Sequence, residues 1–280
     1  MITISLLETN FLAWAQAQDD VRAAFVVGSQ ARRNRPADEW SDLDLILFVA
    51  DVDRRQKDIS WLAEIGPLWL SQAGRTVAGD PERLALYADG VQVDFVFNPL
   101  GVLDALPQML AAGQIPDIVY RGVRVLLDKD SRIPPLPEPG HLPAAQAPSA
   151  EEFRQTLESF WFNAIYCAKQ LRRGELWTFQ NASGGMTWPL LRMVEWHARA
   201  IHGWDYDTWH AGKFIAEWAD APVYTALQGC FAHLDREDSW RAMGARLELF
   251  HLLARQVAEK MGFSYPAALE AGIVQCIRLE

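Results

Sequence analysis

Cysteine is scarce in this chain, with three in 280 residues. Cys167, Cys230 and Cys276 are widely spaced and odd in number, which excludes a disulfide framework and a cysteine-based zinc site. Reduced thiols of that kind suit a cytoplasmic protein. No apolar run reaches the roughly 18 residues that a membrane helix needs, so no membrane partner is expected. The opening Met-Ile-Thr-Ile-Ser has no basic segment, and the chain turns polar at residues 16–20, so no signal peptide is expected. Positive charge is in deficit too, 26 Lys and Arg against 36 Asp and Glu, giving a net charge of −10. Such a chain repels phosphate backbones, which disfavours a nucleic-acid substrate. It attracts polycations, although solubility alone accounts for the charge as well. No internal repeat is visible.

What is present begins with an ample apolar fraction. Half of the residues are hydrophobic, enough for one large domain or two modest ones. Residues 23–27 form an apolar run that ends in Gly28-Ser29. This reads as a buried strand closing in a tight turn. Glycine lets the backbone approach a ligand, and the amides that follow can face phosphate. A short way on, Ser41-Asp42-Leu43-Asp44-Leu45 opens a second apolar run to residue 49. Strand side chains repeat every two residues, so Asp42 and Asp44 share one face. Like charges placed side by side repel, and that arrangement serves to hold a cation such as Mg²⁺. Asp89-Gly90 separates two further apolar runs and reads as a hairpin turn. Asp94 sits within the second of these runs, where an unpaired carboxylate is costly to bury. If its strand lies beside the Asp42/Asp44 strand, three carboxylates converge.

Other elements can be read in order. A first helix is expected from Thr9 or Asn10 to Ala17. Arg32, Arg33 and Arg35 follow the Gly-Ser turn, as a solvated basic face or as phosphate ligands. Residues 59–70 read as an amphipathic helix with Trp61 and Trp69 in its stripe. A helix at 99–112 and a strand at 123–127 complete an α/β half. Six prolines within residues 133–148 make a stiff connector. The expected organisation is therefore a mixed-sheet α/β domain at 1–133, a proline-rich linker at 134–148 and an all-α helical bundle at 149–280. Ser149 and Glu152 form a capping box for a long helix that stops at Gly174. A second helix is expected to start at Thr187, with Pro189 in its first turn, and to end at Gly203.

Gly28-Ser29, then Asp42-x-Asp44, then Asp94 on a later strand resembles the polymerase-β-type nucleotidyltransferase superfamily. The segments Asp89 to Asp94, Phe160-Trp161-Phe162, Ala168-Lys169-Gln170-Leu171 and Leu191 to His197 resemble the streptomycin (aminoglycoside 6-) adenylyltransferase family. That resemblance implies transfer of AMP from ATP, the co-substrate, to a hydroxyl of a small cationic acceptor such as streptomycin. Asp42, Asp44 and Asp94 are then the metal ligands, holding two Mg²⁺ ions about 3.5–4 Å apart. Asp94 also takes the hydroxyl proton. Gly28 and Ser29 bind the β- and γ-phosphates, Arg32 steadies the triphosphate, and Lys169 reaches the phosphates from the helical domain. Glu195 and Trp196 can hold an amine against an aromatic wall, and Asp205 and Asp207 are candidate contacts for a cationic acceptor. A monomer or homodimer is expected. Two other readings stay open: transfer to a different small molecule, for example a lincosamide, or to a protein hydroxyl, and a nucleotide-binding module without activity. The intact trio of aspartates argues against the last.

Overall fold

The structure is a computed structural model that describes residues 1–138, 140 and 142–278. Pro139 and His141 of the expected connector, and the last two residues of the expected helical domain, lie outside the described residues. The chain divides into two compact units, Met1–Pro143 and Ala144–Glu280.

The first unit opens on helix α1 (Ile4–Ala17). It starts earlier than the sequence suggests because Thr3 is the cap, its side chain accepting from the Leu6 N–H. Thr9 and Asn10 are spent inside the helix and on its neighbour: the Thr9 hydroxyl donates to Ser5 O and the Asn10 amide to Ile65 O, both at 2.8 Å. The strands are β1 (Val21–Val27), β2 (Leu43–Val49), β3 (Leu68–Arg75), β4 (Pro81–Tyr87), β5 (Gln92–Pro99) and β6 (Arg124–Asp128). They form one mixed sheet in the order β3-β4-β5-β2-β1-β6. Strands β2 and β5 run parallel, and the other pairings are antiparallel. Helices α2 (Val52–Lys57) and α3 (Leu62–Ile65) follow β2, while α4 (Leu100–Ala111) and α5 (Asp117–Arg121) follow β5.

Residues 59–70 are not one helix. Gly66-Pro67 ends α3 after a single turn, since proline disfavours a helical residue before it, and Leu68 to Leu70 enter the edge strand β3. Trp61 is buried in the core, but Trp69 is 62% exposed on that edge. The hairpin reading holds. Asp89 and Gly90 both take positive φ (61° and 78°) between β4 and β5.

The alternation of apolar residues in β1, β2 and β5 splits the core between two faces. On one face, Leu45, Leu47 and Phe95 pack with Leu7 and Phe11 of α1 and with Trp61. On the other, Phe25, Val27 and Phe48 pack with Leu103 and Leu106 of α4 and Val119 of α5.

The second unit is helical: α6 (Ala150–Arg173), α7 (Leu176–His202), α8 (Ile215–Trp218), α9 (Ala221–Gln228), α10 (Arg236–Met261) and α11 (Ala267–Arg278). The Ser149/Glu152 capping box and the left-handed Gly174 cap bound α6 as expected. Helix α7 differs. It begins at Leu176 and runs through Pro189. The residue four before Pro189 is Gly185, and a Cβ there would lie 2.3 Å from Asn163 Oδ1 of α6. Close packing of α6 on α7 thus holds the segment helical despite its glycines and proline.

The centre of this unit is a stacked pair, Phe160 and Phe250, with ring centroids 3.6 Å apart and planes at 6°. Trp161 meets the Phe250 ring edge-on. Both phenylalanines are fully buried. Phe250→Ala is expected to destabilise this unit by about 3–5 kcal/mol, read as a lower urea midpoint in tryptophan fluorescence.

Candidate active site

The acid trio is assembled by strand pairing. In the parallel register of β2 and β5, Asp44 lies directly opposite Asp94. Asp42 stands two residues before Asp44, on the same face by strand alternation. Its negative charge is felt at Asp94. This is the face covered elsewhere by α4 and α5; there Ile46 and Phe48 of β2 take up the apolar contacts, further along the strand from the aspartates.

Asp94 is half-buried, and its carboxyl is pushed above the usual carboxylate range. Burial is the main cause; the Asp42 charge adds to it, and a hydrogen bond from Gln92 Nε2 to Asp94 Oδ1 (2.9 Å) opposes it. Across the sheet, Glu82 of β4 is raised by burial and then by the Asp94 charge. Glu82 is thus a fourth acid near the site. Leu84 on its strand pairs with Asp94 in the antiparallel register, and that pairing became visible only once the strand order was known.

Gly28 follows β1 where Val27 pairs with Asp44. Its φ is +67°, and a Cβ built there would lie 2.1 Å from Asp44 Oδ2. Any side chain would strike the carboxylate, so glycine is required on both counts. The Gly28 carbonyl accepts from the Ala31 and Arg32 N–H groups (3.2 and 3.1 Å), closing a 3₁₀ turn over residues 28–30 that contains Ser29.

Arg32 is half-buried after this turn and donates from Nε to the Arg35 carbonyl. Its guanidinium is held below the usual arginine range, first by burial and then by the positive charge of Arg121, with Asp44 opposing. Arg121 ends α5 and is only 5% exposed. The sequence offered no sign of it, because a lone arginine in a five-residue helix carries no pattern.

The second unit places its predicted residues differently. Lys169 is exposed on α6 and borders a 350 Å³ groove with Phe162, Tyr166 and Leu269. Glu195 of α7 is half-buried, its carboxyl raised by burial and lowered in part by Arg199 and Arg192. Trp196, 8% exposed, belongs to the helical core and packs against Phe153. Asp205 is exposed beyond the end of α7, where its Oδ1 occupies the space a Gly203 Cβ would need. His197 is a buried core histidine bonded through Nε2 to Gln256 Oε1 at 2.7 Å. A 1090 Å³ cavity between α10 and α11 is lined by none of the predicted site residues.

No three His, Cys, Asp or Glu side chains among the described residues are already gathered at ligand spacing. The donor chemistry nevertheless suits a hard cation: Asp44 pairs in register with Asp94, Asp42 adds charge, and the Asp44 carboxylate is packed against the Gly28 turn.

The streptomycin adenylyltransferase family model matches residues 2–278. The chain belongs to the streptomycin adenylyltransferase family. It is therefore an enzyme, a nucleotidyltransferase of the adenylyltransferase type. Aminoglycoside 6-adenylyltransferase of Campylobacter jejuni is 26% identical over 266 residues, covering 91% of this chain and 88% of that protein. The protein of the same name from Bacillus subtilis (strain 168) is 25% identical over 268 residues, covering 91% and 90%. A crystal structure of an aminoglycoside 6-adenyltransferase from Bacillus subtilis aligns over 99% of this chain and 98% of its own at 20% identity, with a TM-score of 0.46.

Two variants probe this geometry in the adenylyltransferase. Gly28→Ala drives a methyl into Asp44 and is expected to cut turnover at least about a hundredfold, since misplacing a reacting group by about 1 Å costs that much. Asp94 has a folded-state pKa above its unfolded value, so its ionised form penalises the fold above that raised pKa and not below the unfolded one. Asp94→Asn is therefore expected to melt higher than wild type near about pH 7, the difference shrinking as the pH falls toward about 4. Calorimetry across that range checks the sign.

Proposed function

We propose that this adenylyltransferase moves AMP from ATP to a hydroxyl of an aminoglycoside, with streptomycin at its 6-hydroxyl as the leading acceptor, and releases pyrophosphate. The observation that carries the reading is the in-register pairing of Asp44 with Asp94, next to a glycine turn that leaves no room for a side chain. The names of the curated relatives support the acceptor class. The net charge of −10 suits a polycation.

In this reading the acceptor oxygen forms a bond to the α-phosphorus while the bond from that phosphorus to the β-bridging oxygen breaks. Asp94 takes the proton of the acceptor hydroxyl, as the register that sets it opposite Asp44 allows. Asp42, Asp44 and Asp94 would hold two Mg²⁺ ions, which when bound would supply charge neutralisation and lower the pKa of the attacking hydroxyl. The Gly28 and Ser29 turn binds the β- and γ-phosphates through its amides, and Arg32 and Lys169 add positive charge to the triphosphate. Acceptor recognition is assigned to Glu195 and Asp205, whereas Trp196 is spent on the helical core. Glu195 has the strongest claim, because burial raises the energy of its charge and an acceptor ammonium would relieve it. A cytoplasmic location belongs to the same reading, since ATP is abundant there.

The test is an acceptor screen with purified protein, ATP and Mg²⁺, read by pyrophosphate release and by the mass of the product. Streptomycin should turn over. Turnover of a lincosamide or of a protein hydroxyl alone would reassign the acceptor, and no pyrophosphate with any acceptor would leave a nucleotide-binding module. Asp44→Asn should lower turnover by about a thousandfold or more, the scale of several kcal/mol of charge stabilisation.

A further inference from the structure

Sequence reading assigned the phosphate contacts of the first unit to Gly28, Ser29 and Arg32. The fold adds another cation. Helix α5 packs on the acid-bearing face of the sheet, with Val119 buried among Phe25 and Val27. Val27 is the residue that pairs with Asp44. Two residues beyond Val119, Arg121 is buried, and its charge is felt at Arg32.

The backbone locks this placement. Gly122 follows Arg121 with φ +158°, and a Cβ there would lie 2.5 Å from Arg32 Cα and 2.6 Å from Ala31 O. The end of α5 therefore rests directly on the chain that leaves the Gly28 turn. No larger residue at 122 would allow the approach. Two guanidinium-bearing segments are thus clamped together at one edge of the aspartate cluster.

Bringing two arginine charges together in a partly desolvated place is unfavourable for the folded protein by itself. Asp44 offsets part of that cost. A polyphosphate offsets more, because planar guanidinium forks match phosphate oxygens two at a time and a phosphate chain presents several at close spacing. We infer that Arg121, on the short helix after β5, pairs with Arg32 to hold the β- and γ-phosphates of the nucleotide and the pyrophosphate that departs.

This rests on the nucleotidyl-transfer reading and assigns the leaving-group end of that site. As the bond between the α-phosphorus and the β-bridging oxygen breaks, its electron pair stays on the departing oxygen. Fixed positive charge there stabilises the developing anion. Arginine meets this need better than lysine, since it stays protonated when buried and beside another cation.

The experiment compares binding of inorganic pyrophosphate, ATP and AMP in the presence of Mg²⁺ by calorimetry. Arg121→Met should weaken pyrophosphate and ATP about 10- to 100-fold, the range of a charge-assisted hydrogen bond, and leave AMP within about twofold. Arg121→Lys should fall between the two, and carries the comparison alone if Arg121→Met does not fold. Combined with Arg32→Met, the effects on pyrophosphate should be non-additive, because the two cations share one ligand. Equal loss for AMP and pyrophosphate, or unchanged pyrophosphate affinity in folded variants, would overturn the assignment of Arg121 while leaving the transferase reading intact. A wild-type protein that binds neither ATP nor pyrophosphate would overturn both.

Discussion

The first unit depends on one parallel strand pairing. Strands β2 and β5 each bury apolar residues on one face and carry acids on the other, and their register sets Asp44 against Asp94. Asp94 is half-buried there and feels the Asp42 charge as well, which is unfavourable repulsion. The apolar side of the same strands, Leu43, Leu45, Leu47, Val93, Phe95 and Phe97, supplies the burial that tolerates this repulsion. A slip of one residue would turn Asp44 and Asp94 into the core under α1 and Leu45, Leu47 and Phe95 away from it, so that core enforces the register of the acids.

Around that pairing the fold supplies space and opposite charge. Gly28 gives up its side chain so that the Asp44 carboxylate can pack against the turn. The turn it starts returns the chain as Arg32, and α5 brings Arg121 to the same edge. Acids and cations therefore lie side by side, the pattern expected where a triphosphate and its metal ions are held together.

Much of this was legible from residue patterns, and the rest was not, for physical reasons. The acids were readable because Asp is out of place in strands of Leu, Ile, Val and Phe. The Asp89-Gly90 hairpin and the Ser149 capping box were readable because their backbone demands select few residues. Local propensity predicts a helix start near Pro189, whereas packing of Asn163 against Gly185 carries α7 through it. Trp61, Leu62, Ile65 and Trp69 keep helical spacing across a glycine-proline break, which hides the start of β3 at Leu68. Arg121 and Glu82 were invisible, since each is a single charge whose meaning comes only from its neighbours in the folded sheet.

The same pairing has a temporal consequence. A ribosome releases residue 44 long before residue 94, and β1 and β2, adjacent in sequence, can form an antiparallel ribbon at once. The parallel partner arrives only after β3, α3 and β4 have been made, and its docking closes the largest loop in the sheet's central trio. A nascent or truncated chain lacking β5 would carry the first two aspartates without the third. The acid cluster is thus complete only once this long-range contact has formed.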